Sequence, residues 1–423
     1  MIETVRLRRR AAVKLAGAQE WLFTDDALQQ ATPTLVARHR ARRLAGRDVH
    51  DVTCSIGADL AELARICPRV VGSDLDPIRL AMAKHNLARS LPSPADPTGG
   101  PVPGAGSGPA EADSAAAEHN RRGPASSVHR RRGAGASAAA ENRVRGAAPP
   151  AGALDTATDR LPGSGPTTGA QSARDASTNT VLVRADALVP CSTGTVIVAD
   201  PARRAGGKRT HDPAALQPPL PDLLAAYAGR DLAVKCAPGL DFDRLGWAGE
   251  VEVVSLDGAV REACLWSPGL SEPGVTRRAT VLTGAGGVGT LTDADPDEIP
   301  ERAPGEWIID PDGAVVRAGL VRHYAARHGL WQLDPRIAYL TGDTVPEGVR
   351  GFRILDRLEF REKALRTELR RLDCGALEIL VRGVDVDPDV LRRRLKPTGS
   401  QPYTLVITRI GRTATAFLCR PSR

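Results

Sequence analysis

A chain of 423 residues with 42% hydrophobic content is long enough for about two or three domains with buried cores, and 3% aromatics leaves aliphatic side chains to fill them. A net charge of +7 suits a polyanionic partner without demanding one, since the Arg, Ala, Gly and Pro enrichment is what a GC-rich coding sequence also produces. Seven dispersed cysteines with no CxxC pair argue against a zinc ribbon or a disulfide framework, and no apolar run reaches membrane-spanning length, so a soluble cytoplasmic protein without a metal is expected.

Residues 1–48 predict an N-terminal helical segment, with apolar residues at helical spacing over Ala11–Trp21 and Ala31–Leu44 and Thr32-Pro33 as a helix start. Arg38, Arg40, Arg42 and Arg43 make the second helix basic. A solvated face is the preferred reading, a nucleic-acid-facing helix the other. The stretch DVTCSIGADLAELAR, Asp51–Arg65, then gives the end of a buried strand, a small-residue turn and a helix opening at Leu60. A second strand, Val70-Val71-Gly72-Ser73-Asp74, ends in carboxylates at the distance where an acid can accept hydrogen bonds from ribose hydroxyls. Three readings stand at this point: a dinucleotide site, an adenosyl-cofactor site, or an ordinary βαβ unit with turn and cap residues. A pyrophosphate cradle wants several glycines, and the turn holds Gly57 alone.

Pro77 opens a helix to about Arg89. From Pro92 to Thr178 the chain is Ala, Gly, Ser, Pro, Thr and Arg with almost no large apolar residue, so a disordered insert is expected. Lengthening a short loop to that size costs only about 2–3 kcal/mol of closure entropy. Strands resume at Val181–Asp186, Thr195–Asp200 and Asp231–Cys236, with a helix over Pro221–Ala228. Val251–Leu256 and Ala263–Trp266, with Ala279–Leu282 as a candidate third strand, make an antiparallel edge. Gly284–Gly289 fits GxGxxG, but the acidic, Pro-broken stretch after it cannot open a helix, so it reads as a linker. From about Pro304 a small α+β unit follows. It comprises a strand at Trp307–Pro311, an amphipathic helix over Val315–His328, a strand-like Phe352–Phe360, helices at Glu362–Leu372 and Pro388–Leu395, and strands at Leu377–Arg382, Thr404–Arg409 and Ala414–Leu418.

The turn at Gly57 and the acid at Asp74 resemble motif I and the second-strand acid of class I S-adenosylmethionine-dependent methyltransferases. With the insert removed, the strand pattern is that of their Rossmann-like seven-stranded α/β sheet. The resemblance implies that Asp51, Thr53, Ser55 and Gly57 hold the methionine end, Asp74 the ribose, and Asp186 the adenine amino group. Asp200 and Pro201 would lie at the acceptor end. Many nucleic-acid methyltransferases carry (Asp/Asn)-Pro-Pro-aromatic at the fourth strand. Here Ala202 and Arg203 stand in the last two places, which argues against stacking a base on an aromatic; Arg203 could stack or pair with phosphate instead.

VTCSIGADL, VVGSDLDP, VADPARRAGGKR, WQLDPRIAYLTGD and ALEILVRGVDVDP together resemble bacterial class I methyltransferases with a THUMP-like C-terminal domain. That resemblance implies domains at 49–290, a small ferredoxin-like linking segment at 303–345 and a THUMP-like domain at 350–423, and an RNA substrate, transfer or ribosomal. A small-molecule or protein methyltransferase, or a silent RNA-binding protein, are the alternatives. Cys236 and Glu262 are placed as the nucleophile and base are in RNA uracil-5 methyltransferases, where a thiolate adds to the pyrimidine ring. The competing reading of Cys236 is a buried strand-end thiol.

Overall fold

In the computed structural model, residues 2–90, 179–202, 204–205, 208–209 and 212–421 are described. The insert expected at 92–178 and Arg203 lie outside them.

The first part of the chain builds one large sheet. Its strands are β1 (Val49–Asp51), β2 (Val70–Asp74), β3 (Thr180–Arg184), β4 (Val196–Ala199), β5 (Leu232–Cys236), β6 (Glu250–Leu256), β7 (Ala259–Trp266), β8 (Arg277–Leu282) and β9 (Val288–Thr292). The spatial order is β3-β2-β1-β4-β5-β7-β6-β8-β9. β1 to β5 run parallel, and β7 is inserted antiparallel between β5 and β6. The seven expected strands are present, and the sheet continues to nine. Of the two further strands, β8 contains the Ala279–Leu282 segment and β9 follows from the GxGxxG segment. The latter segment is the turn of a hairpin, with Thr283 N–H bonded to the Gly287 carbonyl and Gly286 at φ +91°, and it adds β9 to the edge instead of linking domains.

β4 and β5 are buried along their whole length, as strands covered on both faces must be. One cover is α4 (Ala58–Ile66), which buries Leu60 and Leu63, each worth about 1.5–3 kcal/mol. α5 (Pro77–Ser90) packs beside it, and α6 (Leu220–Ala226) covers the other face.

The N-terminal segment departs from expectation. The helices are α1 (Ile2–Ala11), α2 (Asp25–Gln30) and α3 (Thr34–Arg43), so the predicted helix over Ala11–Trp21 is mostly turn. Gly17 takes φ +76°, and Arg8 reaches over to the Trp21 and Glu20 carbonyls, folding this stretch back on α1. The basic face of α3 is not a solvated one. Arg40 is 3% exposed and bridges Asp59 and Glu262; Arg43 bonds Glu250 at 2.5 Å and Glu252 at 2.7 Å; Arg38 bonds Glu62 at 2.9 Å. Only Arg42 of the four is exposed.

The C-terminal part forms a second sheet from β10 (Trp307–Ile309), β11 (Trp331–Gln332), β12 (Leu340–Gly342), β13 (Gly351–Glu359), β14 (Cys374–Arg382), β15 (Gln401–Ile410) and β16 (Thr413–Pro421). Their order is β11-β12-β10-β13-β16-β15-β14, with α10 (Glu362–Arg371) and α11 (Pro388–Leu395) packed on it; a short α7 (Phe242–Leu245) lies earlier in the chain and buries Phe242 in the core of the first sheet. The units expected at 303–345 and 350–423 therefore share one sheet, joined where β10 pairs with β13. The helix expected over Val315–His328 is two, α8 (Gly313–Arg317) and α9 (Val321–Arg327), broken at Gly319 with φ +77°. Ala314, Val315, Ala318 and Leu320 belong to the core of the first sheet, beside Val251, Ala263 and Ala279. Among the described residues no helix is long and apolar enough to cross a membrane.

Candidate active site

Parallel strands deliver their C-terminal ends to one rim, and the sheet order reverses between β1 and β4, where open α/β sheets bind ligands. A cavity of about 730 Å³ opens there. Asp51, Thr53, Ser55, Asp74, Asp186 and Asp200 all line it, each from the end of β1, β2, β3 or β4 or the residues just after. The sequence thus identified six residues that the fold brings to one wall.

The turn after β1 is built for close approach. Gly57, at φ +83°, is the N-cap of α4, and Ser55 takes φ +49°. A Cβ on Gly57 would meet Ala83 of α5 at 3.4 Å, besides the strain of a left-handed conformation. Gly57 is absent from the lining residues; its part is to let the turn close. Asp74 is held by main chain, accepting from Ser55 N–H at 3.1 Å and Asp76 N–H at 2.9 Å, with lone pairs left over for a diol. Asp186 accepts from Leu188 N–H at 2.9 Å. Thr53 Oγ1 accepts from Asp200 N–H at 2.7 Å and ties the β1 turn to the end of β4.

Asp51 supplies the test of whether an adenosyl-methionine group fits. It is 4% exposed, accepts from Thr53 N–H at 3.1 Å, and makes no ion pair among the described residues. Burial, with the Asp59 carboxylate next in weight and Asp200 adding to it, pushes its carboxyl up to about 8. The Arg40 guanidinium, engaged by Asp59 and Glu262, offsets this only in part, and a buried carboxyl lining a cavity with no ion-pair partner among the described residues matches a ligand that brings an ammonium.

The far wall comes from residues that the motif reading passed over. Asp26, Gln30, Ala31 and Thr32 line the cavity from the N-terminal segment, and Arg40 and Asp59 line its base. Lys235, in β5, is 5% exposed and donates to Asp200 Oδ2 at 2.5 Å and Thr32 Oγ1 at 2.9 Å. Burial alone would lower its pKa, but Asp200, Glu262 and Asp59 outweigh that and raise it, so the ammonium stays charged. The sequence carried one sign of this, a lysine inside the otherwise apolar strand LAVKC.

Cys236 and Glu262 are not brought to the cavity. Side chains alternate along β5, so Cys236 points away from Lys235 into the core with Val234 and Ile197, 3% exposed. Glu262 is 2% exposed and paired with Arg40. Pro201 is buried and Ala202 lines the cavity, its main chain paired both ways with Gln217.

The THUMP domain-like family matches residues 349–421. Two Mycobacterium tuberculosis proteins, from different strains and each named as an uncharacterized S-adenosylmethionine-dependent methyltransferase, are 47% identical over 436 residues, covering 100% of this chain and 97% of their own. A crystal structure of a protein from Porphyromonas gingivalis W83 superposes with a TM-score of 0.65 at 17% identity over 99% of this chain and 89% of that one, a likeness of fold.

Proposed function

Because this chain belongs to the S-adenosylmethionine-dependent methyltransferases, we propose that its acceptor is RNA, transfer or ribosomal, gripped by the THUMP-like domain. The observation that carries this is where the charge lies. Residues 349–421 hold 16 Lys and Arg against 9 Asp and Glu, an excess equal to the +7 of the whole chain, so everything outside them balances. A domain that concentrates all of a protein's surplus positive charge suits a phosphate backbone.

In this reading Asp51 meets the methionine ammonium, Thr53, Ser55 and Gly57 shape the turn around it, Asp74 takes the ribose hydroxyls, and Asp186 the adenine amino group. S-adenosylmethionine supplies a methyl already activated on a sulfonium, so the protein's part is alignment of the acceptor. Asp200 stands at the methyl end, fixed by its own N–H on Thr53 and by Lys235 on its carboxylate. Pro201, buried, follows it at the acceptor end. Cys236 and Glu262, turned from the cavity, take no covalent or proton-transfer part, so transfer is direct. The test is transfer of labelled methyl from S-adenosylmethionine into total RNA of a strain lacking the gene, followed by nucleoside analysis. One labelled nucleoside species is expected; label found only in protein or small metabolites would overturn the RNA assignment.

A further inference from the structure

The cavity is closed on one side by a segment more than a hundred residues from the strands it meets, and one hydroxyl makes the join. Thr32 is 1% exposed, accepts from Lys235 Nζ at 2.9 Å and donates to Asp59 Oδ2 at 2.6 Å. A hydroxyl has one proton to give and lone pairs to receive with, so Thr32 uses both capacities at once. Lys235 in turn spends another proton on Asp200 Oδ2 at 2.5 Å. The chain of partners runs from Asp59, fixed on Arg40, through Thr32 and Lys235 to the Asp200 carboxylate. Each interior member is buried, where a hydrogen bond lost to an apolar replacement is not made good by water. Without Thr32, Lys235 keeps Asp200 as a partner but loses the group that fixes its direction.

We infer that Thr32 is a positioning residue for methyl transfer: acting through Lys235, the N-terminal segment holds the Asp200 carboxylate at the methyl end of the cofactor cavity. The inference rests on the placement of Asp200 at the methyl end and is independent of what the acceptor is. Its signature follows from charge. S-adenosylmethionine carries a positive sulfur that S-adenosylhomocysteine lacks, while the rest of the two molecules is alike. A well-held carboxylate near that sulfur favours the first over the second, and a loosened one loses the preference. A residue that merely stitches two segments together would change stability and leave the preference intact.

The experiment is calorimetric titration of the full chain with each compound, with melting temperatures recorded alongside. Asp200→Asn is expected to lower the ratio of the two affinities by about tenfold, Thr32→Val by a similar factor, and the double variant by no more than Asp200→Asn alone, as expected when both act through one group. Thr32→Ser, which keeps the hydroxyl, should retain the parent ratio; Thr32→Ala is read in place of valine if the latter does not fold. A Thr32→Val protein with lowered melting temperature but unchanged ratio would overturn the inference, as would factors that multiply in the double variant. An unchanged ratio in Asp200→Asn would remove the Asp200 placement and this inference with it. Since no acceptor enters the titration, neither result bears on RNA as substrate.

Discussion

Burial and the neighbouring Asp59 carboxylate push the Asp51 carboxyl toward its protonated form, and that has a measurable sign. Its pKa stands at about 8 in the folded chain against an ordinary 3.8, so between those values the folded state binds a proton that the unfolded chain has released. Stability contributed at this site therefore falls as pH rises from about 4 to about 8. Asp51→Asn should match its parent near pH 4 and be more stable near pH 8, as urea unfolding at the two pH values would show. Equal pH dependence in parent and variant would mean that Asp51 is ionised throughout. Strand-end acids such as Asp51, Asp74, Asp186 and Asp200 were legible because each follows its own apolar run. Thr32 and Lys235 were not, because what gives them meaning is a contact across some two hundred residues. Thr32 was read from its neighbour Pro33 as a helix start, and its hydroxyl is spent elsewhere.

Among the elements, α3 shows most plainly how a local pattern misleads. Four arginines in ten residues resemble a wet face, yet three turn inward to acids carried by β6, β7 and α4. Glu250 and Glu252 stand two apart in β6, among valines, on a strand buried at every position. Acids at period two inside a buried strand are a signal that basic partners will cover that face, but which helix covers it depends on β7 entering between β5 and β6. Arg40→Met leaves Asp59 and Glu262 short of their shared guanidinium and should cost about 3–5 kcal/mol in denaturant unfolding. Arg42→Ala, on the exposed side of the same helix, should stay within about 0.5 kcal/mol. Equal effects of the two would contradict the docked helix. The GxGxxG hairpin is the opposite lesson: the acidic tail correctly excluded a nucleotide loop, and only the pairing of β8 with β9 revealed a sheet edge.

For the molecule as a whole, the class of fold and the methyl donor were readable, whereas the sharing of one sheet between 307–342 and the C-terminal strands was not. The charge and composition of 350–423 set it apart, but its sheet borrows β10, β11 and β12 from residues 307–342. A chain cut to residues 349–421 exposes the β13 edge that β10 covers, together with Phe352. It should aggregate or melt well below a chain that begins near residue 304, as circular dichroism on heating would reveal. A cooperative, soluble 349–421 fragment would show that β10 to β12 are dispensable.

The stretch from 307 to 332 alternates between the two sheets. β10 and β11 belong to the second, α8 is seated in the core of the first, and Arg327 at the end of α9 bonds the Thr290 carbonyl at 2.6 Å and Asp295 at 2.8 Å. A hinge cannot be placed in chain that is woven into both bodies. If the basic end clasps a nucleic acid, the span from that clasp to the methyl donor is fixed, and the enzyme works as a caliper. It would choose its target by how far the reactive atom lies from the gripped strand, and only secondarily by the letters around it.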